Sequence, residues 1–112
     1  MKALRWHGKS NIRCDIVDDS KIEDDRDILV KVTFCAICVS DLPLMNGYMP
    51  TMESGEGLGH KSMGEDVEVG KARSKFKVGK RAVVPFNLAC GECYFYQQRL
   101  FSFCDRSNRN AD

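Results

Sequence analysis

The stretch Asp27-Ile28-Leu29-Val30-Lys31-Val32-Thr33-Phe34-Cys35-Ala36-Ile37-Cys38-Val39-Ser40-Asp41 decides the fold. In its first half Ile28, Val30, Val32 and Phe34 share one parity while Lys31 and Thr33 take the other, the period of a strand with one face toward a core. That strand delivers the chain to Cys35. Beyond Cys38, Ser40 is placed to cap a short helix over residues 41–45, which Asn46-Gly47 ends. Pro43 falls in its first turn, where a missing N–H costs little.

Working outward, residues 3–6 and 12–17 read as strands of a hairpin around His7-Gly8-Lys9-Ser10-Asn11. His7 is expected to be solvated at that turn, and Cys14 to pack half-buried in its strand as a small hydrophobe. Asp18-Asp19-Ser20 and Glu23-Asp24-Asp25 read as a solvated acidic link, since no calcium-loop spacing is present. Residues 49–59 read as a flexible loop. Its run Gly55-Glu56-Gly57-Leu58-Gly59 follows no apolar strand and carries no Lys-Ser/Thr pair, so it is a poor phosphate loop. Further strands are expected over 64–70 and 81–86, with Asp66 forced either to face water or to find a partner.

The 112 residues form one domain, 1–112, long enough for a core and too short to add a nucleotide-binding domain. With 17 basic and 16 acidic residues the net charge is +1, and no stripe of Lys and Arg interleaves with aromatics, so no nucleic-acid partner is expected. Nothing approaches the roughly 20 apolar residues of a membrane span, and the first residues lack a signal-peptide pattern. A cytoplasmic protein with reduced or metal-bound cysteines is the expectation for its six thiols.

The chemistry gathers at two places. Cys38 and His60 are a thiolate and an imidazole, ligand types that suit zinc, and Asp41 is near enough in sequence to orient a ligand. Lys61 puts a positive charge beside them; it either pairs with Asp41 or points to water. The second place is a side lobe at about 88–108, where Cys90-Gly91-Glu92-Cys93 and Cys104 bring three thiols. A structural zinc normally takes four ligands, and Tyr96, at the spacing of a fourth, offers a phenol that stays protonated at neutral pH. The lobe is thus either a three-thiolate metal site or a loop packed on Tyr94, Phe95, Tyr96, Phe101 and Phe103.

Taken in order, Cys38-Val39-Ser40-Asp41, Gly59-His60-Lys61-Ser62-Met63-Gly64, Val67-Glu68-Val69-Gly70, Val78-Gly79-Lys80-Arg81 and Cys90-Gly91-Glu92-Cys93 resemble the N-terminal part of zinc-dependent, medium-chain alcohol dehydrogenases. The resemblance runs from Met1 to about Asn110. It implies a mainly β fold: a GroES-like, partly open antiparallel β-barrel with short helices and a cysteine-bearing lobe. It also implies that Cys38 and His60 hold a catalytic zinc, that Asp41 supports them, and that Ser40 relays the substrate's proton. Cys90, Cys93, Cys104 and the residue at Tyr96 would hold a structural zinc. The family reaction is oxidation of a small alcohol by hydride transfer to NAD or NADP, with zinc as the Lewis acid.

The chain departs from that family where function needs conformity. Members usually carry an acidic residue at Lys61, a relay histidine in many cases at Pro43, cysteine at Tyr96 and aspartate at Lys80. The family's further zinc ligand and its dinucleotide domain have no counterpart among these residues. The expectation is a truncated or stand-alone domain, inactive by itself, that uses NAD(P) only if a separate cofactor domain is supplied.

Two other classes compete. One is a thiol redox protein using Cys35 and Cys38, with Cys38 favoured as thiolate near a helix start, although the βαβ context of that motif is missing. The other is a binding or self-assembly module, whose apolar face meets a cofactor-domain chain or a second copy. A zinc ribbon pairing Cys35/Cys38 with Cys90/Cys93 fails on spacing.

Overall fold

The computed structural model describes residues 1–107. The expected hairpin is there: β1 (Lys2–Trp6) pairs antiparallel with β2 (Ile12–Ile16), Leu4 opposite Cys14. His7 N–H donates to the Asn11 carbonyl at 2.8 Å, and Gly8 turns the corner at φ 129°. His7 is not the solvated bystander expected. Its Nε2 lies 2.6 Å from an Asp15 carboxylate oxygen and its Nδ1 3.3 Å from Ser54 Oγ, so it staples the turn to a distant loop. Cys14, expected to be half-buried, is exposed.

The loop after residue 49 is more ordered than its glycines imply. Within it β4 (Glu56–Gly57) adds to the free edge of β1, giving a three-stranded sheet in the order β2-β1-β4. The pairing is continued by Gly55 N–H on the Trp6 carbonyl at 2.7 Å and Leu58 N–H on the Leu4 carbonyl at 3.0 Å. The short helix α1 (Asp41–Met45) forms as expected and docks on the same sheet, with the Trp6 indole N–H donating to the Met45 carbonyl at 3.1 Å.

The decisive stretch becomes β3 (Ile28–Cys35), which pairs with β5 (Ser62–Val69); β6 (Arg81–Val84) completes a second antiparallel sheet in the order β3-β5-β6. Pro85 follows β6 directly and lacks the N–H a longer strand would need, so the strand stops before Phe86. Gly64 lies opposite Val32, where the pairing shifts register before Phe34; a Cβ there would sit 2.1 Å from the Lys31 carbonyl oxygen. Only glycine fits. The acidic link is likewise less solvated than expected, because Asp27 accepts from the Glu23 and Asp24 amides and Asp24 accepts from Arg26 and Arg106.

The chain is mainly β, as expected, but among the described residues no strand pairing joins the two sheets into a barrel. Nor do the described residues form a substantial apolar core. The buried apolar side chains are those of Cys90 and Cys104, while Phe34, Val83 and Phe86 are 69%, 72% and 70% exposed. The apolar parity of β3 is therefore real but uncovered over its second half. A radius of gyration of 15.5 Å confirms an open body, since a closed domain of this length is expected near 13 Å. No helix among the described residues is long and apolar enough to cross a membrane.

Candidate metal and catalytic sites

The end of β3 and the start of α1 bring Cys38, Ser40 and Asp41 together, and the approach to β5 delivers His60 and Lys61. Gly59, at φ 105°, makes the turn that points His60 back, and Ala36 N–H on the Lys61 carbonyl at 3.1 Å ties the two segments. Ser40 stands at the helix cap position, yet its side chain makes no capping bond. Asp41 does the closing instead: its Oδ2 accepts from the Cys38 amide at 2.6 Å, while its own amide donates to the Cys38 carbonyl at 3.0 Å.

His60 lies between two partners. Its Nδ1 is 3.1 Å from Asp41 Oδ1, a close charge contact without hydrogen-bond alignment, and its Nε2 is 3.4 Å from Ser40 Oγ. The Ser40 hydroxyl and amide, then the His60 and Lys61 side chains, stabilise the Cys38 thiolate and pull its pKa down to about 6. Lys61 therefore follows neither expectation. Instead of pairing with Asp41 or pointing to water, it supports the thiolate, with Nζ 5.7 Å above the Phe86 ring. Phe86 was not a sequence candidate, and nothing in its local spacing marks it. The five residues of α1 supply little dipole, so the thiolate owes its stability to side chains and one amide rather than to the helix.

The donor set fits half of a zinc site. A thiolate and an imidazole face each other, with the imidazole's other nitrogen on a carboxylate, the arrangement that orients metal-binding histidines. Lys61 already supplies a cation at the sulfur, so an incoming ion must displace its influence. Cys35 is exposed at the end of β3.

In the lobe, α2 (Tyr94–Gln97) and a 3-10 turn (Phe101–Phe103) fold the chain so that the Cys90, Cys93 and Cys104 thiols lie within 4.8 Å of one another. Amides hold each sulfur: Cys90 N–H on Cys104 at 3.2 Å, Glu92 and Cys93 N–H on Cys90 at 3.4 and 3.3 Å, and Tyr96 N–H on Cys93 at 3.3 Å. The Ser107 hydroxyl and amide, followed by the Cys90 amide, bring the Cys104 thiol down to about 6. At Cys93 the Tyr96 amide favours the thiolate, but burial and the neighbouring thiols outweigh it and push the pKa up. Three thiols gathered this closely are a donor set that a soft cation would stabilise. The aromatic packing expected as the alternative is present too, with Tyr96 on Phe101 at 5.2 Å and Phe95 on Phe103 at 5.9 Å between ring centres. Packing and thiol clustering are two parts of one lobe.

Known proteins share this arrangement of elements. The family described as the alcohol dehydrogenase GroES-like domain matches residues 24–111. The zinc-type alcohol dehydrogenase-like protein AdhB of Bacillus subtilis is 46% identical over all of this chain, which spans 30% of that relative. The alcohol dehydrogenase TADH from Thermus sp. ATN1 superposes with a TM-score of 0.88 at 31% identity, covering 95% of this chain and 30% of that one. A zinc-dependent alcohol dehydrogenase from Streptococcus pneumonia, solved in its apo form, gives 0.84 at 32% identity, with 94% of this chain and 30% of that one covered. The thiol cluster is consistent with the structural zinc site of such enzymes. The chain spans about 30% of the length of these relatives, and it belongs to the alcohol dehydrogenase GroES-like domain family.

Proposed function

We propose that this domain supplies the zinc-ligating, alcohol-facing half of an NAD(P)-dependent alcohol dehydrogenase and turns over only together with a dinucleotide-binding domain. The observation that carries this reading is the convergence of Cys38, Ser40, Asp41 and His60 on one spot. Zinc bound there would polarise the substrate oxygen as a Lewis acid. Asp41 approaches His60 Nδ1 at 3.1 Å and holds the Cys38 loop by accepting from the Cys38 amide. That leaves His60 Nε2 and the Cys38 sulfur, both now on Ser40, as the donors toward a metal. Ser40, whose Oγ lies 3.4 Å from Nε2, is placed to take the hydroxyl proton of a small alcohol and pass it outward.

The test joins this chain to the remaining portion of the B. subtilis relative and measures NADH or NADPH formation on a panel of small alcohols. Activity is expected from the joined protein and not from the chain alone. Ser40→Ala should lower kcat about 100-fold. Activity unaffected by Ser40→Ala would remove the proposed relay.

The uncovered sheet favours a second, compatible role as a docking half. Phe34, Met63, Val83 and Phe86 line a 320 Å³ apolar hollow on it. The relatives' greater length offers an occupant, the part of those proteins beyond the portion this chain matches. The thiol redox reading has less support, since both sheets are antiparallel where a thioredoxin-like motif needs parallel strands.

A further inference from the structure

We propose that the Cys90, Cys93 and Cys104 cluster is an open three-thiolate site: it holds a soft divalent ion with one coordination position exchangeable with small ligands from solvent. Cys90 and Cys104 are 8% and 0% exposed, so two sulfurs approach from inside the lobe, and Cys93 closes the set from its half-exposed position. The three converge within 4.8 Å and offer three donors to an ion that takes four. A hollow of about 270 Å³ opens beside Cys90 and Cys93, lined also by Arg26, Glu92, Asp105 and Arg106. Tyr96 is not part of that hollow. Its ring packs at a tilt against Phe101 and borders a larger, 720 Å³ hollow on the other side of Cys90 from the one at Cys93. The hollow that reaches both Cys90 and Cys93 is thus lined without the aromatic ring.

Of the charged residues around the hollow, Arg26, Glu92 and Arg106 are engaged in ion pairs, and Asp105 is the carboxylate outside them. Arg26 pairs with Glu92 and Asp24, and Arg106 with Asp24 at 2.9 Å. Glu92 thus faces its arginine rather than the cluster. Binding holds all three sulfurs as thiolates and releases to the buffer whatever protons they still carry. The remaining position goes to water, or to any imidazole- or thiol-sized molecule that the hollow admits. A zinc held by four protein ligands is sealed from such exchange; this one is not. The inference concerns the lobe and is independent of the Cys38–His60 site.

The experiment uses the full chain carrying Cys38→Ser, so that the other site contributes no metal, loaded with zinc for X-ray absorption and with cobalt(II) for optical spectra, without added thiol. Three sulfur neighbours and one light atom are expected, and imidazole should shift the cobalt bands in a saturable way. Cys104→Ser should leave two sulfurs or abolish binding; if it does not fold, the half-exposed Cys93→Ser gives the same readout. Four sulfurs, or no bound metal, would overturn the proposal. So would cobalt bands indifferent to imidazole, because a ligand from the protein, Asp105 being nearest at hand, would then close the site.

Discussion

Replacing Asp66 by valine should stabilise this domain, against the usual direction for a buried position. Asp66 is 1% exposed and neither carboxylate oxygen has a hydrogen-bond partner. Its backbone is fully used, with its amide on the Lys80 carbonyl and its carbonyl accepting from Gly79, both at 2.8 Å. The side chain alone is at issue. A buried polar group without a partner costs about 1–3 kcal/mol, and valine adds a β-branched side chain suited to the middle of β5, across from Val30. A gain of about 2 kcal/mol is expected, which for a domain of this size raises Tm by roughly 10 °C. Asp66→Asn removes the charge but leaves an amide unsatisfied, so its gain should be smaller. Thermal unfolding followed by circular dichroism at neutral pH reads both. A lower Tm for Asp66→Val would refute the reasoning and show that the carboxylate is satisfied in solution.

Because the Cys38 thiol falls from an ordinary 9.0 to about 6 in the fold, the native state releases its proton first. Its contribution to stability is therefore complete above about pH 9, diminishes toward pH 6 and vanishes below it; Cys38→Ala should flatten the rise in denaturation midpoint between about pH 6 and pH 9, and an unchanged slope would contradict this. Lys61→Glu should push that thiol back up and, in the joined protein, strengthen zinc binding roughly tenfold or more, as read by competition with a chelator; weaker binding would show that Lys61 helps the metal. Gly64→Ala drives a Cβ into the Lys31 carbonyl and should cost at least the 1–3 kcal/mol of ordinary overpacking, measured by urea unfolding. Phe34→Ser with Phe86→Ser should reduce any concentration-dependent association seen by sedimentation, since both rings lie on the uncovered sheet.

The sheet strands were legible because each carries its own period. Ile28, Val30, Val32 and Phe34 announce β3 without help from the rest of the chain. β4 was not legible: Glu56-Gly57 has no pattern and is held as a strand only by the β1 edge, a tertiary effect invisible to local spacing. The metal-type residues could be picked by chemistry, since thiols and imidazoles at such spacings have few other uses. Their supports could not. Ser40 leaves the helix start uncapped while the Asp41 carboxylate reaches back to the Cys38 amide, and Lys61 finds Cys38 and Phe86 through a fold that no short window contains. Asp66 broke the strand's pattern in the sequence and remains an exception in the structure, buried where either water or a partner was expected.

Zinc per chain in the joined protein, with and without Cys38→Ser, tests the central claim most directly. Two zinc ions are predicted for the unaltered protein, one at Cys38 and His60 with ligands from the added portion and one at the cysteine lobe. Cys38→Ser should remove one zinc together with all alcohol-dependent NADH or NADPH formation. Retention of both ions and of activity after Cys38→Ser would contradict the account and move the catalytic centre away from this domain.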